Sequence, residues 1–283
     1  MRELAAIPPL REAILLAAFE GWNDAGEAAT AAVEHLARVW DARPVAELDP
    51  EDYYDFQVNR PRAVLVDGRR EVRWPTTRLL LAANPPGGHD VLLLQGIEPS
   101  TRWRSFADEL LAFGQAVGVR TVVTLGALLA DVPHTRPVPV TTTSDDPATR
   151  ARYAVESSHY EGPTGIVGVL TDAATRSGLA TLSCWAAVPH YAGGPPSPKA
   201  TLALVGRLEQ LFDVAIPVGD LTDSARSWER GVDELAESDD EVAEYVQSLE
   251  EATDTADLPE ASGDAIALEF ERYLRRRGEE PPR

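Results

Sequence analysis

One cysteine and one lysine are all that the chain of 283 residues contains of either. A single cysteine, Cys184, can form no intrachain disulfide, which excludes a disulfide-stapled secreted fold. It lies in the apolar run Ala180-Thr181-Leu182-Ser183-Cys184-Trp185-Ala186, so an inert core thiol is expected. Lys199 stands against 25 arginines, which reads as coding bias rather than chemistry. No run of about 18 apolar residues occurs, so no membrane-spanning helix is expected. Met1-Arg2-Glu3-Leu4 lacks the basic and apolar zones of a signal peptide. Together these features point to the cytoplasm.

Catalytic signatures are missing as well. There is no G-x-S-x-G nucleophile elbow, no G-x-x-x-x-G-K-[ST] phosphate loop, and no H-E-x-x-H or cysteine pair for zinc. Gly193-Gly194-Pro195-Pro196-Ser197-Pro198-Lys199 has the look of a phosphate loop. Its three prolines remove three of the N–H donors such a cradle needs, so that reading is rejected. No cofactor and no metal are expected.

Negative charge is what the chain has in excess. The net charge is −20. Residues 219–283 hold 20 acidic and 7 basic side chains, or −13, which leaves −7 for residues 1–218. Such a balance disfavours nucleic acid and anionic membranes as partners. It serves solubility, or it offers an acidic face to a basic partner. With 44% hydrophobic residues the chain can still bury a full core.

The stretch around which the rest is organised follows the apolar run Ala13 to Phe19. That run reads as a buried strand. Gly21 permits a sharp turn off it. Asp24 is placed to cap a helix whose apolar positions are Ala28, Ala32, Leu36 and Trp40, and Glu27 is spaced as a capping-box partner. Strand, polar loop and helix form the first unit of an α/β sheet, and ligands gather at the carboxyl ends of such strands.

Further strands are expected at 45–48, 79–82, 90–94, 121–125, 166–170 and 180–186. A hairpin is expected around Asp67-Gly68, and an edge or irregular strand at 138–143 between prolines. Residues 49–56 read as an irregular loop and Pro85 to Gly88 as a turn. Helices are expected over 101–117, ending at Gly118, over 147–157, and from Ser197-Pro198 onward. After Pro217 the strands stop. Stripes at Leu221, Ala225, Trp228, Val232 and Leu235, at Val242, Tyr245, Val246 and Leu249, and at Ile266, Phe270, Tyr273 and Leu274 describe three amphipathic helices. The chain therefore divides into an α/β core, residues 1–217, and an acidic helical extension, residues 218–283.

Two Pro-His pairs, Val132-Pro133-His134 and Val188-Pro189-His190, each follow a buried strand. Asp131 precedes the first and Arg136 follows it. If the strands are parallel, both pairs leave the sheet on the same edge as Gly21-Trp22-Asn23-Asp24. A histidine beside a carboxylate can serve as acid, base or ligand; equally, proline ends each strand and histidine braces the loop. The candidate ligand crevice is thus Gly21, Trp22, Asn23, Asp24, Asp131, His134, Arg136 and His190. His159 and Glu161 are placed to join it, whereas His35 and His89 look peripheral.

Phe19 to Ala29, Leu125 to Pro137, and Glu161 to Ile166 with Trp185 to Tyr191 resemble, in order, the signature segments of the proteasome assembly chaperone 2 family in its bacterial and archaeal members. The resemblance covers roughly residues 10–280. It implies a three-layer α/β sandwich with a mostly parallel sheet, like the nucleoside phosphorylase/hydrolase type, in a self-associating protein with a trimer as the expected oligomer. It implies proteasome subunits as partners. Some archaeal relatives dock through a C-terminal hydrophobic–Tyr–any motif. This chain ends Glu279-Glu280-Pro281-Pro282-Arg283, which puts that mode of docking in doubt. Two functions follow: a non-catalytic assembly-chaperone-like or scaffold protein, or a small-molecule binder or hydrolase/phosphorylase-like enzyme using the strand-end crevice.

Overall fold

Every residue from Ala13 to Phe19 is buried, as a strand with structure on both faces must be. A computed structural model describes residues 1–83, 85 and 88–256. In chain order the elements are β1 (Arg2–Glu3), β2 (Ala13–Ala17), α1 (Ala28–Val39), β3 (Arg43–Glu47), α2 (Pro50–Tyr53), β4 (Arg62–Val66), β5 (Arg69–Arg73), β6 (Arg78–Ala82), β7 (Val91–Gln95), α3 (Trp103–Val117), β8 (Val119–Ala130), β9 (Val140–Thr143), α4 (Pro147–Tyr153), α5 (Ile166–Arg176), β10 (Ala180–Pro189), α6 (Pro198–Phe212), α7 (Leu221–Glu237) and α8 (Asp240–Ala256).

Eight strands form one sheet in the order β1-β3-β6-β7-β2-β8-β10-β9. The central four, β7, β2, β8 and β10, are mutually parallel. Antiparallel strands flank them on both sides. Successive side chains of β2 point to opposite faces. Ile14 and Leu16 pack with Ala32 and Leu36 of α1 and Leu204 and Leu208 of α6. Ala13, Leu15 and Ala17 pack with Phe106 and Leu110 of α3 and Ile166 and Leu170 of α5. Two helical layers therefore sandwich the sheet, and each fully buried leucine contributes about 1.5–3 kcal/mol. The β4–β5 hairpin forms a separate two-stranded sheet, with Leu65 and Val72 exposed.

Three local expectations need correction. Residues 166–170 are not a strand but the start of α5. Over five residues Ile-Val-Gly-Val-Leu has no readable period; over eleven, buried Ile166, Val167, Leu170, Ala173 and Ala174 trace one helical face. The loop at 49–56 contains α2, capped by Asp49, whose carboxylate accepts from the Glu51 N–H. On α7, Leu235 is 48% exposed and Ala236 is buried in its place. The expected third helix, at Ile266 to Leu274, lies outside the described residues, as does part of the Pro85–Gly88 turn. Among the described residues no helix is long and apolar enough to cross a membrane.

Candidate functional site

The loop after β2 is stitched into the sheet end. Asn23 is buried, and its carbonyl accepts from the Ala127 N–H of β8 at 2.8 Å. Its Nδ2 donates to Glu98 Oε1 at 3.0 Å, and the same oxygen accepts from the Ile166 N–H at 2.8 Å. Glu98, in the loop after β7, thereby supplies the acceptor that the first turn of α5 needs. Gly165 precedes that turn, and a Cβ there would lie 2.4 Å from Asn23 Nδ2. Since Nδ2 is the donor, Asn23 Oδ1 is left as a buried acceptor without a partner.

Asp24 does the capping, although not as the spacing suggested. A 3-10 turn, Ala25–Glu27, intervenes before α1, and Asp24 Oδ1 reaches across it to accept from the Ala29 N–H at 2.7 Å. The Thr30 hydroxyl donates to its other oxygen. Burial raises the Asp24 pKa and these hydrogen bonds oppose the rise. Glu27 makes no side-chain cap; it is exposed, with φ 53°. Gly21 has φ 123°, a conformation that glycine adopts freely.

Gly21, Asn23, Asp24, Glu27 and Thr30 line a crevice of about 1570 Å³ at the carboxyl end of the parallel strands. Trp22, 66% exposed, stands at it, with Leu128, Leu129, Tyr160 and Trp185 among its other walls. Its charged lining consists of Glu20, Asp24, Glu27, Glu34, Asp145 and Asp172, and among the described residues no lysine, arginine or histidine lines it.

The other four candidates leave the same end of the sheet and turn elsewhere. His134 is buried against α7. The Tyr191 hydroxyl accepts from the His134 backbone N–H at 2.7 Å and lies 2.8 Å from Nδ1, while Nε2 lies 3.0 Å from Asp233 Oδ1; the Nε2–H tautomer satisfies both, with Tyr191 donating to Nδ1 and Nε2 donating to the carboxylate. Burial pushes the Tyr191 phenol upward, with Glu250 and Asp233 adding to it, the reverse of what an activated nucleophile requires. His190 packs edge-on against Tyr245 of α8 at 5.2 Å. Asp131 lies 3.4 Å from the His190 ring and accepts from the Tyr245 hydroxyl at 3.0 Å. Arg136 forks onto Asp254 at 2.8 and 2.7 Å and reaches Glu250 at 3.2 Å. Lys199 donates to the His134 carbonyl and to Glu229 Oε1, the latter at 2.5 Å.

The eight candidates thus sort into two groups. Gly21, Trp22, Asn23 and Asp24 face the open crevice. Asp131, His134, Arg136 and His190 clasp α7 and α8. His35, expected to be peripheral, is buried between α1 and the start of the extension: its Nε2 lies 2.7 Å from the Pro217 carbonyl, and burial lowers its pKa. Cys184 is a buried core thiol pushed up to about 11. Sequence reading missed Glu98, Gly165, Tyr191 and the carboxylates of α7 and α8. A signal existed for Glu98: it follows β7, the fourth parallel strand, whose end shares the face of the other three. Among the described residues no cluster of three or more His, Cys, Asp or Glu is arranged to hold a metal ion.

A profile of the PAC2 family matches residues 18–236. The chain belongs to the PAC2 family. Two solved relatives cover most of it. A PAC2 family protein from Streptomyces avermitilis is 57% identical over 83% of this chain and 99% of its own, with a TM-score of 0.79. A Mycobacterium tuberculosis proteasome-assembly chaperone homologue is 50% identical over 82% of this chain and 99% of its own, with a TM-score of 0.75. The archaeal proteasome activator PbaB of Pyrococcus furiosus, 18% identical over 83% of this chain and 99% of its own, shares the fold with a TM-score of 0.64. No curated protein matches the chain. The family match takes in both arms of the site and ends inside α7; α8, which holds Tyr245, Glu250 and Asp254, lies beyond it.

Proposed function

We infer that this PAC2 family chain is a non-catalytic, oligomeric assembly-chaperone-like or scaffold protein of the cytoplasm, with proteasome subunits as its first partner class and a trimer as its assembled form. The observation that carries this reading is the 50% identity to a proteasome-assembly chaperone homologue that the chain matches over 99% of that protein's length. The strand-end groups agree with it. The side chains best suited to acid–base chemistry, His134 and His190, are hydrogen-bonded or stacked against the helical extension. The acidic extension, residues 218–283, serves as an appendage to the α/β core, residues 1–217.

Co-expression with proteasome α-type subunits, followed by native mass spectrometry of the purified complexes, tests the reading. Free or partly assembled α subunits are expected to copurify with the chain, and the chain alone is expected at three times its 30.7 kDa mass. A monomeric mass at micromolar concentration, with no subunit bound, refutes it.

A further inference from the structure

The crevice beside Trp22 has a composition that calls for a particular occupant. At about 1570 Å³ it exceeds the roughly 300–1,000 Å³ of small-molecule pockets and suits a length of peptide chain. Its charged side chains are all acidic. Asp172 is paired with Arg176 at 2.8 Å, but Glu20, Glu27 and Glu34 form no ion pair among the described residues. Their fields accumulate: Glu20 is raised first by burial and then by Glu34, Glu27 and Asp24, with Arg62 opposing the rise. Trp22 offers an exposed aromatic face, the best surface for a guanidinium. Asn23 Oδ1, on the crevice wall, is a buried acceptor lacking a donor. Negative potential, an exposed indole and a spare acceptor all select cationic N–H donors beside apolar groups.

The described hairpin at residues 60–74 is also arginine-rich, but it is fixed as the β4–β5 sheet; outside the described residues the sequence contains one segment of that chemistry. Phe270-Glu271-Arg272-Tyr273-Leu274-Arg275-Arg276-Arg277 carries four arginines against one glutamate and holds the longest run of arginines in the chain. It lies outside the described residues. Its reach is ample: Arg136 holds Asp254 of α8, and Pro139, three residues from Arg136, lines the crevice. Residues 257–269 span up to about 45 Å when extended.

We propose that the crevice is a peptide-docking groove and that the Phe270–Arg277 segment of the same chain occupies it, its arginines on Glu27 and Glu34 and its aromatic and aliphatic side chains on Trp22 and Leu129. This assignment is independent of which protein the chain assembles. A partner using the groove must displace the segment.

Acrylamide quenching of Trp22 in the full chain tests it, with the Trp22 signal taken as the difference between wild type and Trp22→Phe. Docking holds the quenching constant low. Arg275→Glu/Arg276→Glu/Arg277→Glu raises it at least twofold, and so does about 1 M salt, where the screening length falls to about 3 Å. Glu27→Gln/Glu34→Gln raises it as well. Glu27→Arg/Glu34→Arg combined with the reversed arginines restores the protection. Equal quenching in wild type and reversed-arginine chains of unchanged circular dichroism overturns the proposal, as does a charge exchange that folds but fails to restore protection. Protection that disappears on dilution assigns the segment to a second copy and overturns the intrachain form.

Discussion

Replacing Gly165 by alanine sets one methyl group where three polar atoms already meet. The new Cβ would lie 2.4 Å from Asn23 Nδ2, 2.5 Å from Asn23 Oδ1 and 2.7 Å from Glu98 Oε1. The Gly165 backbone, φ −95° and ψ −170°, is one that alanine adopts without strain, so the cost comes from the crowded side chains and not from the backbone. Overpacking of this kind costs about 1–3 kcal/mol. Moving Glu98 aside also breaks a charged hydrogen bond to the Ile166 N–H, worth about 1.5–3 kcal/mol. A net loss of about 3 kcal/mol is expected, or roughly 6–10 °C in Tm for a chain of this size. Urea unfolding followed by circular dichroism measures it for Gly165→Ala, Asn23→Ala and the double variant. Truncating Asn23 removes two of the three clashes, so the double variant should be more stable than the sum predicts by about 1–2 kcal/mol. Gly194→Ala, with nothing within 4 Å of its Cβ, is the control and should change little. A Gly165→Ala loss below about 0.5 kcal/mol, or additivity with Asn23→Ala, refutes the picture of Asn23, Glu98 and Gly165 as one packed unit.

The clasp on the extension should show as coupling: His134→Ala is expected to cost about 2–3 kcal/mol, and a double-mutant cycle with Asp233→Ala to give about 1 kcal/mol, so a coupling near zero would detach the histidine from α7. Removal of residues 218–283 should leave a cooperatively unfolding core with altered association, because α7 and α8 bury only Ala225, Val232, Ala236, Val246 and Leu249 among their described apolar residues; loss of cooperative unfolding would refute the domain division. Glu20 is raised above its ordinary 4.5 by burial and by Glu34, Glu27 and Asp24, against a lowering by Arg62. The folded state therefore holds its proton more tightly than the unfolded chain and loses stability as pH rises from about 4.5 through the raised value. Glu20→Gln should match or exceed wild-type Tm at pH 7, with the gap closing toward pH 4.5; a gap that widens at low pH contradicts the sign.

Much of the fold was legible because its signals are local. Apolar runs too short for helices marked β2, β6, β7, β8 and β10, and Gly118 marked the end of α3 with a φ of 106°. Helix-length connections implied parallel strands, and β2, β8 and β10 are parallel neighbours. That ordering brought the Gly21–Asp24, Asp131–Arg136 and Val188–Tyr191 loops to one end of the sheet. Where a local window misled, at 166–170, the helix is decided by distant atoms: Glu98 satisfies its first turn, and α3 and the sheet bury its face.

The direction in which each loop faces was set by long-range packing. Strand order places loop residues at an edge, but whether a side chain meets solvent, a crevice or another helix depends on elements far along the chain. His134 meets Asp233, 99 residues on, and Arg136 meets Asp254, 118 residues on. Nothing in the spacing of two Pro-His pairs encodes those distances. Local sequence signals specified a sheet with chemically capable groups at one end. Packing of α7 and α8 over half of them left Trp22, Asn23 and the surrounding carboxylates as the open face, because a buried imidazole must be hydrogen-bonded and the extension supplied the partners.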